Sequence, residues 1–201
     1  KPAATLLHCG PGLANGLVNL HNAQKAHVPI VNIVGDQATY HKGLNPPLAA
    51  ATEDWARPVS VWTLTTMAAP SVGADAADAV LAARASPGGI ATLILPSDSS
   101  WSEGGVVAAP HAVPPAPHAD ASAIANAARV LRSGEPALIL LGRAALRAGP
   151  IAHAAAIAAA TGATVMAEVF NTRHERGRGR HPVNRIPFAV RRRPLRREEK
   201  A

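Results

Sequence analysis

The chain has 201 residues, of which 48% are hydrophobic and only 3% aromatic, and its formal net charge is +7. This length is enough for one large domain or two small ones with a real core. A single cysteine excludes a disulfide framework and predicts a reducing, cytoplasmic setting. No apolar run reaches the ~20 residues of a membrane-spanning helix, and no signal peptide is recognisable.

The positive charge is concentrated at the C-terminal end. Residues 173–201 contain eleven Lys and Arg against three Glu, a net charge of +8, so the preceding residues together carry −1. A basic tail can bind nucleic acid or a membrane surface. This one has no interleaved aromatic residues for base stacking and no zinc-ligand spacing, which argues against nucleic acid as the partner.

The N-terminal stretch predicts one βαβ unit. An apolar strand at residues 4–8 is followed by a tight loop at 10–12, a helix over 13–26 and a second strand over 30–34. In open parallel sheets, ligands bind beside such loops, at the carboxyl ends of the strands. The helix that follows also points the positive end of its dipole at this place.

The loop and the two strand ends have the residues expected of a binding site. Gly10 and Gly12 lack a Cβ atom, so backbone N–H groups there can approach a ligand closely, and Pro11 stiffens the turn. Polar side chains gather around the same point: His8, Asn15, Asn19, His21, Asn22, Asp36 and Gln37. They suggest convergence on one bound molecule.

The remaining residues up to 103 continue the alternation of strands and helices. The predicted elements are a loop with a short helix at 39–58, a strand at 59–65, a helix at 71–85 and a strand at 90–95. Thr52 and Ser71 are the predicted helix caps. This order predicts an α/β fold, a parallel sheet flanked by helices.

A proline-rich linker at 104–121 precedes a second, partial α/β domain. His111 and His118 of this linker are predicted to be exposed. The second domain, over 122–190, contains the following predicted elements: a helix at 122–132 capped by Ser122, a strand at 137–141, a turn at Gly142, a helix at 149–161 and a strand at 164–167. Residues 191–201 are predicted to be a disordered basic tail.

Residues 8–37, HCGPGLANGLVNLHNAQKAHVPIVNIVGDQ, resemble the pyrimidine-binding domain of thiamine-diphosphate enzymes. This group holds acetolactate synthase, pyruvate oxidase and benzoylformate decarboxylase. The resemblance rests on the GPGxxN core, on Pro29 and on the GDQ ending, and the continuation ATYH makes it closest to acetolactate-synthase-like sequences. It implies that residues 1–103 are a pyrimidine-binding domain lacking its N-terminal part, and that 122–190 are the first half of the central domain.

The resemblance also implies a fragment that is truncated at both ends and inactive alone. The glutamate that activates the cofactor would precede Lys1, and the domain that binds the diphosphate and Mg²⁺ would follow the central domain. The parent would be a transferase or lyase, a homodimer or homotetramer, that decarboxylates or ligates a small 2-keto acid. No residue of this chain is predicted to bind metal.

Site residues follow from the same resemblance. Those implied to contact the pyrimidine half of thiamine diphosphate are Gly10, Pro11, Gly12, Asn15 and Gln37. His8 lies where benzoylformate decarboxylase has an active-site histidine, which implies proton transfer to the substrate carbonyl. Acetolactate synthases have a small hydroxyl residue there, so the keto acid and the reaction stay open, and a structural histidine at a strand end is the alternative for His8.

Three further hypotheses remain open. Gly10, Gly12 and Gly16 after a strand, with Asp36 at the end of the next strand, also fit an NAD(P)-type dinucleotide-binding module. A basic-tailed nucleic-acid-binding protein is another alternative. The turn at Gly142 leaves FAD open as a second cofactor, since acetolactate synthases carry flavin in their central domain.

Overall fold

The computed structural model describes residues 1–171 and 173–188. The chain divides into two compact units, the first spanning Lys1–His118 and the second beginning at Ala119. The tail predicted at 191–201 lies outside the described residues. None of the helices in the described part is long and apolar enough to cross a membrane.

The first unit alternates strands and helices along the chain. Its elements are β1 (Ala3–His8), α1 (Cys9–Lys25), β2 (Ile30–Asp36), α2 (Thr39–Lys42), α3 (Thr52–Ala56), β3 (Trp62–Thr65), α4 (Val72–Arg84), β4 (Ile90–Pro96) and α5 (Ser97–Trp101). Two short 3-10 helices lie at Arg57–Val59 and Ala69–Ser71. The four strands form a wholly parallel sheet in the order β1-β2-β4-β3, which confirms the predicted fold class.

Helices pack on both faces of this sheet. On one face, Leu13 and Leu20 of α1 belong to the same buried cluster as Val34 of β2. On the other face, Ala79 of α4 is fully buried in a cluster with Leu93 of β4. Strands buried on both faces must be apolar at nearly every position, which is why the two central strands read IVNIVGD and IATLILP.

A hydrogen-bonded row of polar side chains interrupts this apolar pattern. The Thr5 hydroxyl donates to Asn32 Oδ1 over 2.7 Å, and Asn32 Nδ2 donates to Thr92 Oγ1 over 3.1 Å. The Ser60 and Thr92 hydroxyls are 2.8 Å apart. Since Asn32 and Thr92 are fully buried, their mutual hydrogen bonds remove the cost of unpaired polar atoms in the core. The row joins β1, β2 and β4 at one level of the register.

Helix α1 begins earlier than the sequence pattern predicts. It starts at Cys9, so residues 10–12 form its first turn, and the prediction of a separate loop there is wrong. Pro11 is compatible with this turn because the first N–H groups of a helix have no intrahelical acceptor, so a missing N–H costs nothing. The backbone strain is at Cys9, whose φ is +51° although it is not glycine.

The predicted linker packs against the first unit. Residues 104–118 have no helix or strand, yet the Val106 carbonyl oxygen lies only 2.1 Å from the position that a Cβ on Gly73 of α4 would take. His111 Nε2 is 3.0 Å from Asp78 Oδ1, also on α4. His111 and His118 are both exposed, as predicted, and His111 is also paired with Asp78.

The second unit contains a smaller parallel sheet. Its elements are α6 (Ala121–Leu131), β5 (Leu138–Leu141), a 3-10 helix (Arg143–Leu146), α7 (Ala148–Thr161), β6 (Thr164–Ala167) and β7 (Asn184–Arg185). The strand order is β5-β6-β7. Leu141 of β5 is buried in the same cluster as Ile151 of α7, but Leu138 and Leu140 are 54% and 53% exposed. One face of this sheet is therefore open, and the short strand β7 was not predicted.

The predicted helix caps differ from those in the structure. Thr52 is the first residue of α3 rather than its cap, and Ser71 precedes α4 without a side-chain capping bond. At α6 the cap is Asp120, which accepts a hydrogen bond of 2.9 Å from the Ala123 N–H, whereas Ser122 donates its hydroxyl to Asp120. Aspartate takes this place because an ionised oxygen is the stronger acceptor for the free amides of a helix N-terminus.

Candidate functional site

The candidate site lies at the carboxyl edge of the first sheet. His8 of β1 is level with Gly35 of β2, and Asp36 is level with Pro96 of β4, so three strands end together. α1 starts directly after His8, and its N-terminus is therefore at this same edge. Ligands of open parallel sheets bind at such an edge.

The structure places the sequence-predicted residues at or near this edge, with different degrees of exposure. His8, Pro11 and Asn15 are exposed, Gly12 and Gln37 are partly buried, and Gly10 is buried. His8 ends β1, residues 10–12 form the first turn of α1, and Gln37 follows β2. Among the described residues, no hydrogen bond joins His8, Asn15 and Gln37 to one another.

The glycines of the first turn have different surroundings. A Cβ on Gly10 would lie 2.3 Å from the Cβ of Ala50, and one on Gly16 would lie 2.8 Å from Leu7 Cδ1. At Gly12 the nearest atom would be the Leu7 carbonyl carbon at 3.4 Å, an ordinary contact. Gly10 and Gly16 are therefore glycines because the protein itself packs against them, whereas a Cβ on Gly12 would fit in ordinary contact with Leu7 and His8 of β1.

A buried ion pair fixes the segment after β2. The Asp36 side chain is fully buried, and its carboxylate accepts the Gln37 N–H over 2.8 Å and the Lys42 ammonium over 2.6 Å. An acidic residue that binds a ribose must be accessible, so this burial opposes the dinucleotide hypothesis.

Two further hydrogen bonds hold the same segment. The Thr39 N–H donates to Asp98 Oδ1 over 3.0 Å, and the Thr39 hydroxyl donates to the other carboxylate oxygen. The hydroxyl bond is the main cause that lowers the pKa of Asp98, and the amide bond acts in the same direction. Gln37 Nε2 donates to the Pro47 carbonyl over 2.9 Å. Residues 36–42 are therefore fastened to β2, to α5 and to the following loop.

Sequence reasoning missed this arrangement. For the ion pair, the available sequence signal was an acidic residue, Asp36, six positions before a lysine, Lys42. For the hydrogen bonds between Thr39 and Asp98 the sequence offered no signal, because the two residues are 59 positions apart.

The single cysteine lies at the same edge but is not suited to nucleophilic chemistry. Cys9 is 3% exposed, and its sulfur is 3.9 Å from each ring nitrogen of His8. Burial raises the pKa of the Cys9 thiol, the charge of Asp36 raises it further, and Lys42 opposes them. A thiol with a raised pKa has little thiolate at neutral pH, and the thiolate is the reactive form.

The carboxyl edge presents a polar surface. The exposed imidazole of His8 and the amide of Asn15 can donate and accept hydrogen bonds. Within residues 1–171 and 173–188, no group of three or more His, Cys, Asp or Glu could hold a metal ion.

Comparison with known proteins gives consistent results. The profile of the family "Thiamine pyrophosphate enzyme, N-terminal TPP binding domain" matches residues 1–56. The chain is 50% identical over 188 residues to the "Putative acetolactate synthase large subunit IlvX" of Mycobacterium tuberculosis (strain ATCC 25618 / H37Rv), which covers 94% of this chain and 36% of that protein.

Two solved structures are similar in fold. One is a "putative thiamin diphosphate-dependent enzyme" from Mycobacterium smegmatis, with a TM-score of 0.73 and 26% identity, covering 86% of this chain and 34% of that one. The other is the thiamine diphosphate-dependent 4-hydroxybenzoylformate decarboxylase of Rhodococcus jostii RHA1, with a TM-score of 0.72 and 22% identity, covering 84% and 33%. The chain thus spans about a third of the length of the relatives it matches.

Proposed function

This chain belongs to the thiamine-pyrophosphate enzymes and is acetolactate-synthase-like in sequence, and from that premise we propose that its first unit forms the pyrimidine side of a thiamine-diphosphate site. One observation supports this most directly. At the carboxyl edge where three parallel strands end, His8 at the end of β1 and Pro11 and Asn15 of α1 are exposed beside the N-terminus of α1.

Each residue at this edge has a distinct proposed role. We assign backbone contacts with the cofactor to the turn of residues 10–12, and Gly10 keeps that turn packed against Ala50. Asn15 and Gln37 supply amide groups that can hydrogen-bond a heteroaromatic ring. His8, exposed at the end of β1, holds and moves a proton near the substrate carbonyl, a task for which imidazole is suited at neutral pH.

Bound thiamine diphosphate supplies the electron sink needed for loss of CO₂ from a 2-keto acid. We place its diphosphate and Mg²⁺ outside the described residues, which offer no cluster of metal ligands. We also propose that the parent enzyme is a transferase or lyase that acts on a small 2-keto acid. We propose that it is a homodimer or homotetramer in the cytoplasm. We expect no keto-acid turnover from this chain alone.

The test is amide hydrogen exchange of the chain with and without thiamine diphosphate and Mg²⁺. Saturable protection of residues 8–15 and of Gln37 is the expected result. Gly12→Ala should weaken this protection because its methyl group would lie 3.5 Å from the His8 Cβ, at the end of β1 that we assign to the site. Gly149→Ala is the matched control, because Gly149 is also in the first turn of a helix and a Cβ there meets nothing within 4 Å.

The role of His8 needs its own pair of variants. His8→Ala should alter ligand-induced protection at the edge, whereas His153→Ala should leave it unchanged, because His153 is exposed on α7 of the second unit. Protection that appears elsewhere, or that is indifferent to Gly12→Ala, would refute the proposed site.

A further inference from the structure

The second unit has a carboxyl edge of its own, and a glutamate closes its first turn. Glu168 follows β6, and its carboxylate lies over Gly142, the glycine that follows β5. A Cβ on Gly142 would lie 2.8 Å from Glu168 Oε1 and 3.0 Å from Oε2. The space that the glycine leaves free is therefore already filled by the chain.

Hydrogen bonds fix Glu168 in this position. Its Oε1 accepts the Arg143 N–H over 2.9 Å, and its own N–H donates to the Leu141 carbonyl over 2.9 Å. Side chain and backbone together tie the end of β6 to the turn after β5.

A second glutamate occupies the N-terminus of α7. Glu175 Oε2 accepts the Ala148 N–H over 2.8 Å, and the Glu175 N–H donates to the Leu146 carbonyl over 3.0 Å. Arg147 and Arg173 approach its other carboxylate oxygen to 3.7 and 3.2 Å. The bond from Ala148 is the main cause that lowers the pKa of Glu175, and the arginine charges act in the same direction.

These two places are where a dinucleotide's phosphates bind in α/β domains. A glycine after the strand allows the backbone to approach the diphosphate, and the amides of the helix N-terminus donate to it. Here both places hold a carboxylate of the protein. A diphosphate would have to displace hydrogen-bonded groups of its own charge, so these residues do not fit a flavin at this turn.

We propose that the second unit takes no dinucleotide, and that Glu168 and Glu175 fasten its two strand-to-helix connections in the ligand's place. The inference is independent of the function proposed for the first unit, because it concerns only residues of the second.

The test uses FAD and ADP as probes of the unmutated chain, by equilibrium dialysis, together with amide hydrogen exchange without nucleotide. We expect no saturable binding of either probe, and slow exchange at Arg143 and Ala148. Glu168→Ala should speed exchange at Arg143, and Glu175→Ala at Ala148, each about tenfold, because each variant removes one hydrogen bond. Glu135→Ala, an exposed glutamate of the same unit, should change neither amide.

Two results would overturn the inference. One is saturable, equimolar binding of FAD or ADP that protects Arg143 and Ala148 of the unmutated chain. The other is unchanged exchange at both amides in the two alanine variants. Far-UV circular dichroism checks that each variant is folded. If an alanine variant unfolds, the corresponding glutamine variant, Glu168→Gln or Glu175→Gln, replaces it. The glutamine side chain keeps the shape of glutamate but accepts a weaker hydrogen bond. Glu168→Gln must then speed exchange at the Arg143 N–H, and Glu175→Gln at the Ala148 N–H.

Discussion

Gly10→Ala should destabilise the first unit although alanine is the better helix former. The new methyl carbon would lie 2.3 Å from the Ala50 Cβ and 3.3 Å from Trp55 Cζ3. The first distance is about 1 Å short of an ordinary contact, and Ala50 cannot move its Cβ without moving its backbone. Overpacking of this kind costs roughly 1–3 kcal/mol, against a gain in helix propensity of at most about 1 kcal/mol.

Gly12→Ala is the matched comparison, because it lies two residues further along the same helical turn. Its methyl group would meet nothing closer than 3.4 Å, so only the propensity term applies. We expect Gly10→Ala to lower the free energy of unfolding by about 1–2 kcal/mol and Gly12→Ala to leave it unchanged or raise it by up to about 1 kcal/mol.

Urea unfolding followed by tryptophan fluorescence measures both values, since Trp55 lies beside Gly10. If Gly10→Ala is as stable as the unmutated chain, the packing explanation for this glycine is wrong. If both variants are equally destabilised, the two glycines do not differ as we argue.

Three further predictions concern the first unit. Gly73→Ala would place a methyl group 2.1 Å from the Val106 carbonyl oxygen, so residues 104–118 should detach from α4. Detachment is detectable as faster proteolysis within residues 104–118, and an unchanged cleavage rate would contradict the observed packing. Lys42→Ala leaves the buried Asp36 carboxylate without its cation and should lower the free energy of unfolding, measured in urea, by about 2 kcal/mol. This is less than the ~3–5 kcal/mol lost when a fully buried pair is broken, because the Lys42 side chain is 40% exposed. An unchanged free energy of unfolding would mean that water replaces the ammonium. Cys9 should react with iodoacetamide more slowly than a free thiol at mildly alkaline pH, because the raised pKa of its thiol leaves less thiolate. Equal reaction rates in the native and the urea-unfolded chain would refute this.

The longer strands and helices of both units could be predicted from the sequence, because they depend on local patterns, whereas the short α5 and β7 were not predicted. Strands buried on both faces are continuous apolar runs, and helices end at glycine and proline. The position of the candidate site followed too, since residues such as His8 and Gln37 directly follow strands, and parallel strands end at one edge. β6 was predicted at the bounds the structure has, Thr164–Ala167.

The start of α1 could not be predicted from these patterns. A glycine-proline-glycine run usually marks a loop, but the first turn of a helix accepts all three residues. α1 packs against β1 and α3, and among its three glycines Gly10 leaves the least room for a Cβ.

By itself the sequence determined the parallel α/β fold of the chain, the order of its longer elements and the edge at which polar residues collect, because these depend on neighbouring residues. Only the tertiary structure decided that a methyl group is excluded at Gly10 and accommodated at Gly12, that Asp36 is buried against Lys42, and that Glu168 fills the space above Gly142. The physical reason is that these are distances between atoms of separate elements, and contacts such as Thr39 with Asp98 join positions that no local pattern relates.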